Sequence, residues 1–264
     1  QTPIKNSESL QQAIAFALQN NKRTELLRLM HLSAGARNEE LDALIEVNQQ
    51  YIEQLNDNKI VFDAFEQGAF KNALNNKGQS ALHIAALDGN IATVHRLIAC
   101  GANLAIRDKN SQTALHLLAK NPDSLSAILT LIPENQRLEV VKAANKFGET
   151  ILHLIAKSPN SLREILTLIP ENQRLEVVKA AGRFGETVLH LIATSPNSLR
   201  EILTLIPENQ RLEALKATDA KLETVLHATK NSTSLEVILA LIPENQQLEM
   251  AKETRPHDCQ QGSS

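Results

Sequence analysis

The chain has 264 residues, of which 42% are hydrophobic and 22% are charged, and its formal net charge is −3. This balance is typical of a folded protein and gives no bulk attraction to nucleic acid or to an anionic membrane. Aromatic residues make up only 3%, which disfavours a base-stacking platform or a large aromatic pocket for a small-molecule substrate. The apolar runs all fall short of the roughly 20 residues that a membrane span needs.

The two cysteines, Cys100 and Cys259, form no spacing pattern, which disfavours a disulfide framework or a cysteine-rich zinc site. A reducing compartment fits this usage, and we therefore expect an intracellular, cytosolic protein. The chain begins with Gln1 instead of Met, and we interpret it as an excised piece whose flanks carry any targeting signal or second activity.

Residues 1–74 show the apolar spacing of helices but no internal repeat. Leu10, Ile14 and Leu18, for example, lie on one face of a predicted helix. The segment also holds four of the six phenylalanines, namely Phe16, Phe62, Phe65 and Phe70. We therefore expect it to be helical and to contribute apolar surface.

A repeat dominates the rest of the chain. Five tetrapeptides end in Leu-His, at His83, His116, His153, His190 and His227. The first interval is 116−83=33 residues and the later ones are 37 (153−116, 190−153 and 227−190). A fixed period of this size is typical of stacked supersecondary units, which bury their apolar faces only against their neighbours.

The period predicts an all-α solenoid with elongated 37-residue repeats in residues 75–252. The end unit of such an array needs a cover for its apolar face. Residues 1–74 are therefore predicted to be a helical N-terminal cap, or a region that includes a degenerate repeat within 59–74. The polar residues 253–264 are predicted to be a disordered tail.

The third unit shows the expected helices most clearly. Thr150 is placed to cap a short helix from Ile151 to about Lys157. Ser161 and Glu164 have the spacing of a capping box, which predicts that a second helix begins at Ser161. The apolar face of that helix is predicted to consist of Leu162, Ile165, Leu166, Leu168 and Ile169.

An Ile-Pro-Glu-Asn-Gln segment follows the second helix and begins at residues 132, 169, 206 and 242. Pro170 cannot continue a helix but suits the start of a new one, and Glu171 suits the positive end of that helix. Arg174 to Ala181 contains strong helix formers. Each elongated unit is therefore predicted to have a short third helix or helical turn.

Residues 76–108 resemble an ankyrin repeat through Gly78, Ser80-Ala81-Leu82-His83, Ala85-Ala86, Gly89, Leu97-Ile98 and Gly101-Ala102-Asn103. The later units keep Thr-x-Leu-His but replace the Gly-Ala turn with the Ile-Pro segment. The resemblance implies an ankyrin-type fold and a protein-binding scaffold or adaptor that uses its concave face. It also implies that each Thr and His hydrogen-bond at a helix start and tie adjacent units together.

The long, near-identical units also resemble those of ankyrin-containing effector proteins of intracellular bacteria, on the strength of the Leu-Ile-Pro-Glu-Asn-Gln-Arg-Leu-Glu segments. That resemblance implies an effector that is secreted into a host cell and acts on a host protein. Two alternatives stay open. The chain is the non-catalytic targeting portion of a larger enzyme, or it is a purely structural spacer or oligomerisation element.

No catalytic, cofactor-binding or metal-binding residue is predicted. Successive ladder histidines lie on helices that pack about 8–10 Å apart, whereas zinc–nitrogen bonds are about 2.0–2.1 Å long. Cys100 and His95 are five residues apart, which is poor spacing for a nucleophile and base on one helix. The mixed charges of the repeats predict a solvated face without the basic stripe of a nucleic-acid interface.

The candidate partner-binding residues are Lys146, Phe147, Lys157, Arg183 and Phe184. Lys146-Phe147 and Arg183-Phe184 precede the first helix of two units, in the connection that projects as a finger in ankyrin proteins. Phe147 and Phe184 are the only aromatic residues of the array, and aromatic and Arg residues are enriched in binding hot spots. In the alternative interpretation, each Phe packs on the neighbouring finger or on the extra third helix.

Overall fold

A computed structural model describes residues 39–66, 69 and 71–247, and the structural statements below concern those residues. The predicted tail 253–264 and the first 38 residues of the predicted cap lie outside them. The chain divides into two compact units, Gln1–Leu118 and Ala119–Ser264, which are described separately.

The described elements are helical, with one isolated bridge between Thr218 and Thr224 and no named strand. The first unit contains α1 (Glu39–Asn56), α2 (Asp63–Glu66), α3 (Ala81–Leu87), α4 (Ile91–Ala99) and α5 (Ala114–Leu118). The second unit contains α6 (Pro122–Thr130), α7 (Glu134–Lys142), α8 (Ile151–Leu154), α9 (Pro159–Thr167), α10 (Glu171–Val178), α11 (Val188–Ile192), α12 (Pro196–Thr204), α13 (Glu208–Leu215), α14 (Val225–Ala228) and α15 (Ser232–Leu241). Among the described residues, this confirms the predicted all-α fold class.

In the first unit, α1 and α2 pack through aromatic side chains. The rings of Tyr51 and Phe65 meet edge to face with centroids 5.2 Å apart, and Arg96 of α4 lies 3.9 Å from the Phe62 centroid. The Asn75 amide donates to the Leu55 carbonyl at 3.3 Å, which connects the end of α1 to the first repeat. The described part of the predicted cap therefore contains two helices, and it contacts the first repeat.

In the second unit, helices at equivalent positions of successive repeats pack on one another in three stacks. The first helices α8, α11 and α14 form one stack, the second helices α6, α9, α12 and α15 form another, and α7, α10 and α13 form the third. The core between them is aliphatic, with Leu162, Ile165 and Leu166 fully buried in α9. Burial against the next repeat supplies the apolar area that a single repeat lacks.

The helix starts confirm one prediction and correct another. Thr150 caps α8 as predicted, but α8 ends at Leu154 and the chain continues to Lys157 as a turn. The second helix begins at Pro159 and not at Ser161, because proline has the φ angle of the first helical position and needs no hydrogen-bond acceptor there. Ser161 is buried and donates to Asp123 at 3.2 Å, so the Ser161–Glu164 capping box was a wrong inference.

The predicted third helix is present as α10, with Pro170 as its N-cap residue. Its Arg174 side chain is half-buried and donates from Nε to the carbonyls of Leu166 and Ile169, at 3.0 and 3.1 Å. These carbonyls end the second helix of the same repeat, where backbone acceptors have no partner within the helix. The mixed-charge face is therefore not wholly solvated, because this arginine is a structural cap.

The same arginine also joins two repeats. Arg174 Nη1 donates to the Leu205 carbonyl of the following repeat at 2.9 Å, and Arg211 reaches Leu241 at 3.0 Å in the same way. Arg137 repeats the pattern one repeat earlier, toward Leu168 at 3.3 Å. Each third helix thus connects the second helices of two successive repeats.

None of the helices within the described ranges combines the length and apolarity needed to cross a membrane.

Candidate partner-binding site

The loop before each first helix, here called a finger, is a tight turn in residues 145–150, 182–187 and 219–224. In the first of these, the Asn145 side-chain oxygen accepts from the N–H groups of Phe147 and Glu149, at 2.8 and 3.1 Å. This is an Asx-type turn, in which a side chain replaces a missing backbone acceptor. It holds Phe147 at the tip of the finger.

The other two fingers reach the same shape with different side chains. Asp219 accepts from the N–H groups of Lys221 and Glu223 at 2.8 and 3.0 Å. The bond from Glu223 is the main reason that the pKa of the Asp219 carboxyl lies below its ordinary value. Gly182 has no side chain to do this, and Glu186 accepts from the Phe184 N–H instead, at 2.7 Å.

Each finger tip contains a residue in the left-handed region, at φ 79° for Gly148, 77° for Gly185 and 64° for Leu222. Successive fingers pack closely at these positions. A Cβ atom on Gly148 would lie 3.2 Å from the Gly182 backbone, and one on Gly185 would lie 2.7 Å from the Ala220 nitrogen. Glycine therefore suits both tips, and at Gly185 a side chain would clash with the backbone of the following finger.

Four of the five predicted site residues lie together on these fingers. Lys146 Nζ is 5.0 Å from the centroid of the Phe147 ring, and the Arg183 guanidinium is 5.1 Å from the same ring. Arg183 is also 5.2 Å from the Phe184 ring, so cations and rings alternate. Such cation–π contacts hold the charges beside the rings. We call Lys146, Phe147, Arg183 and Phe184 the finger row.

The rings of the finger row are open to solvent. Phe147 is 40% exposed and contacts Arg183 of the next finger, whereas Phe184 is 63% exposed. The nearby carboxylates of Glu149 and Glu186 are hydrogen-bonded within their own fingers. The finger row thus presents rings beside cations, and these carboxylates lie in the same fingers.

Lys157, the fifth predicted residue, is exposed in the turn after α8. No ring contact among the described residues joins it to the finger row. The structure therefore does not bring Lys157 into this cluster.

The ladder histidines have the structural contacts that the ankyrin resemblance implies. His153 Nδ1 accepts from the Thr150 N–H at 3.2 Å, and its Nε2 donates to the Glu186 carbonyl of the next finger at 3.0 Å. His190 makes the equivalent bond to the Glu223 carbonyl at 3.1 Å. One ring nitrogen therefore caps the first helix of its own repeat, and the other connects that helix to the next repeat. Within the described residues, no three His, Cys, Asp or Glu side chains gather where they could hold a metal ion.

Sequence reasoning missed two features that the structure reveals. The arginine of each Ile-Pro-Glu-Asn-Gln-Arg segment was taken for part of a solvated face, although its recurrence at Arg137, Arg174 and Arg211 was a usable signal. The second feature is Leu222, which stands where the other two fingers have Gly148 and Gly185. It is in fact 79% exposed at the tip of its finger, beside Lys221.

Comparison with known proteins identifies a family that matches this chain. The family described as Ankyrin repeats (3 copies) matches residues 5–142, more than half of the chain. The match includes much of the segment predicted as a cap, and it ends before the finger row.

Two solved structures are similar to the chain. An ankyrin repeat domain from Acinetobacter baumannii is 18% identical, with a TM-score of 0.53, over 77% of this chain and 98% of that one. A chain of the complex of a predatory endopeptidase from Bdellovibrio bacteriovorus with an immunity protein is 18% identical, with a TM-score of 0.49, over 87% and 96% respectively. At these identities, the likeness concerns the fold alone.

Proposed function

The chain belongs to the ankyrin-repeat family, and from that premise we propose that it binds a protein partner through the finger row. Ankyrin repeats generally mediate protein–protein interaction, and the fold is a scaffold without catalytic chemistry of its own. The partner-binding residues in this proposal are Lys146, Phe147, Arg183 and Phe184, with Lys157 as a peripheral contact.

One observation carries the proposal, which is the exposure of two aromatic rings in an array that has no others. A ring such as Phe184, 63% exposed, gains apolar burial only when something covers it. Arg183 lies between the two rings, and its guanidinium offers several hydrogen-bond donors to a carboxylate. The chemistry of the finger row therefore favours a partner with acidic and apolar groups.

We further propose that the partner is a host protein and that the chain acts as a bacterial effector. The support for this is the resemblance of the repeated Leu-Ile-Pro-Glu-Asn-Gln-Arg-Leu-Glu segments to effector repeats. If the chain is instead the targeting portion of a larger enzyme, the finger row has the same use, since it selects the protein on which that enzyme acts.

Capture experiments with matched variants test the proposal. Purified wild-type protein, the Phe147→Ala/Phe184→Ala variant and a Leu131→Ala/Leu235→Ala control are immobilised and exposed to eukaryotic and bacterial lysates in parallel. Leu131 and Leu235 are 38% and 40% exposed, and Phe147 is 40% exposed, so the control removes apolar side chains of similar exposure. Both leucines lie in or beside second helices and not in the fingers. Captured proteins are identified by mass spectrometry, then purified and titrated by calorimetry.

We expect a eukaryotic partner whose affinity falls at least roughly tenfold in the Phe variant, as for loss of a hot spot, and is unchanged in the control. Circular dichroism and the melting temperature must be the same for all three proteins. Equal capture by all three proteins would rule out the finger row. Capture from the bacterial lysate alone would contradict the effector role but leave the binding role intact.

A further inference from the structure

Each of the two repeats that carry the finger row also exposes a leucine on its first helix. Leu154 of α8 is 36% exposed and Leu191 of α11 is 44% exposed, and each stands directly after a ladder histidine. The residues that follow them, Ile155 and Ile192, are buried in the core. Single exposed leucines are ordinary on protein surfaces, but large apolar residues that cluster there indicate a binding site.

The packing of the first helices determines which side of them is open. α11 packs against α8 and α14 of the neighbouring repeats and against α12 of its own repeat, so its exposed side chains point away from these three helices. Leu191 and Thr194 are exposed in this part of the repeat. Leu154 and Lys157 are exposed at the same two positions one repeat earlier. The two leucines therefore lie on the open side of the first-helix stack.

Hydrogen bonds hold the second finger against α8, beside Leu154. His153 Nε2 donates to the Glu186 carbonyl at 3.0 Å, and the Glu186 carboxylate accepts from the Phe184 N–H at 2.7 Å. Leu154 is the next residue after His153, so it lies close to the finger that carries Phe184. The same histidine bond is repeated between α11 and the third finger. The leucines and the finger row are therefore neighbouring lines of one part of the surface.

The sequence changes at both lines together where the next repeat begins. Lys221 stands where Phe184 stands one repeat earlier, and Ala228 stands where Leu191 stands. The aromatic ring is thus replaced by a charged side chain, and the leucine by the smallest apolar one. This joint change ends the apolar surface at α11 and favours a common role for the rings and the leucines.

The charges beside these apolar side chains favour an acidic partner. Lys146, Lys157 and Arg183 are exposed. The carboxylates of the same fingers, Glu149 and Glu186, are half-buried and accept hydrogen bonds within their own fingers. A partner therefore meets cations before it meets carboxylates, and complementary charge across an interface selects the partner. Arg183 lies beside both rings, so a carboxylate bound to it is next to apolar surface.

We propose that Leu154 and Leu191 are contact residues of the same binding surface as the finger row, and that its occupant is an acidic protein segment with large apolar side chains. This inference rests on the proposed function and names the extent of the surface and the chemistry of the partner. Apolar side chains of the partner pack on the rings and the leucines. Its carboxylates bind Lys146 and Arg183, with Lys157 at the edge of the surface.

A library of random-sequence peptides displayed on phage tests both parts of the proposal. The library is selected on the whole chain, and the enriched peptides are synthesised and titrated by fluorescence anisotropy. Alanine is the best helix former, so replacing the leucines by alanine preserves the first helices. The proteins compared with wild type are Leu154→Ala/Leu191→Ala, Phe147→Ala/Phe184→Ala and the control Leu131→Ala/Leu235→Ala, whose leucines have similar exposure.

We expect the enriched peptides to combine Asp or Glu with large apolar residues. The Leu154→Ala/Leu191→Ala variant should bind them at least roughly fivefold more weakly than wild type, and the control should bind them as wild type does. Lys157→Glu should weaken binding roughly twofold to fivefold, an effect that decreases as the salt concentration rises. Lys59→Glu, at an exposed lysine of the first unit, is the control for charge and should have no effect.

The outcomes separate this inference from the proposed function. If the peptides need the rings but bind Leu154→Ala/Leu191→Ala as they bind wild type, the finger row binds and the leucines are not part of its surface. A lower melting temperature of that variant than of its control, with affinity kept, would show that the leucines are structural. Enrichment of basic or uncharged peptides contradicts the acidic partner. If no peptide is enriched, the inference is overturned, and the capture experiment decides the finger row independently.

Discussion

The first repeat of the chain and the elongated repeats after it share one connection between neighbours and differ in another. In the first unit, His83 Nε2 donates to the Gln112 carbonyl at 3.1 Å, and in the second unit His153 and His190 make the same bond to Glu186 and Glu223. This bond ties the start of a first helix to the next finger, whatever the length of the repeat.

The repeats differ in how the second helix ends. The first repeat turns at Gly101, with φ 82°, and continues as a loop. In the second unit, a proline begins a third helix instead, and Arg174 from that helix binds carbonyls of two successive repeats. Four extra residues therefore replace a loop with a third stack of helices and add a second connection between neighbours.

The last described repeat separates the two kinds of hydrogen bond that the third-helix arginine makes, one within its repeat and one to the next repeat. Gln247 stands where Arg211 stands one repeat earlier, and its amide donates to Leu239 and Ile242 at 2.9 and 3.0 Å. It caps its own second helix as the arginines do, but glutamine is too short to extend further. Capping within a repeat and bridging between repeats are thus separable functions of one position.

The largest expected effect comes from removing this arginine. We expect Arg174→Met to lower the free energy of unfolding by about 2–4 kcal/mol, because carbonyls at two helix ends lose a charged donor. Arg174→Gln should recover roughly half, since it copies Gln247 and keeps only the bonds within its repeat. Urea unfolding followed by circular dichroism measures both. Arg163→Met, on the exposed face of α9, is the control, and an equal loss there would refute the bridging role.

The second largest effect concerns the hydrogen bond from a ladder histidine to the next finger, which both kinds of repeat share. We expect His153→Ala to lower the free energy of unfolding by about 1–3 kcal/mol, because the Thr150 N–H and the Glu186 carbonyl lose their buried partner. Affinity for a partner, measured by calorimetry on the folded variant, should be nearly unchanged. A stoichiometric metal bound by the wild-type protein and lost in this variant would contradict the structural role.

The first unit should respond to acid through His83. Burial lowers the pKa of this imidazole from its ordinary value, against the weaker opposing effects of its bond to Gln112 and the charge of Asp108. Because the folded pKa is the lower one, the unfolded chain binds more protons below about pH 6.5, and stability falls as the pH falls through that value. The slope cannot exceed about 1.4 kcal/mol per pH unit.

The dependence of stability on the protonation of His83 is tested by melting temperatures at pH 7.5 and 5.5. They are measured for wild type, His83→Gln and His95→Gln. The acid-dependent decrease should be smaller in His83→Gln than in wild type. His95 is exposed and serves as the control, so a similar change in His95→Gln would show that acid acts elsewhere.

The smallest effect concerns the ion pairs between third helices. Lys142 contacts Glu176, and Lys179 is 2.6 Å from Glu213, on a surface where both partners are partly exposed. The bond to Glu176 raises the pKa of Lys142, so its contribution is present at neutral pH and is lost only as the pH rises through that pKa. We expect Glu176→Gln to cost less than about 0.5 kcal/mol, and the difference from wild type to vanish in 1 M salt.

Much of the fold could be predicted from the sequence, because the repeat period and the chemistry of proline are local signals. The third helix was predicted from Pro170 and the helix formers after it, and α10 confirms it. The start of the second helix was missed for a local reason as well. Proline is favoured at the first helical position, so Pro159 was a better signal than the Ser161–Glu164 spacing.

The candidate site could be predicted only as a set of residue types. Phe147 and Phe184 stood out because no other aromatic residue occurs in the array, but their exposure depends on whether the next finger covers each ring. The exposure of Leu222 could not be predicted either, because it depends on the backbone angle of the tip and on whether a neighbouring finger covers it. Those are properties of stacked neighbours, not of the residue.

The sequence by itself determined the family, the 37-residue period, the capping of the first helices by Thr-x-Leu-His and the presence of a third helix. Each of these depends on residues within about one repeat of each other. Only the tertiary structure decided that Arg174 bridges two repeats, that glycine is needed at Gly185, and that cations and rings alternate along the fingers. These contacts join residues about thirty positions apart, and stacking brings them within reach.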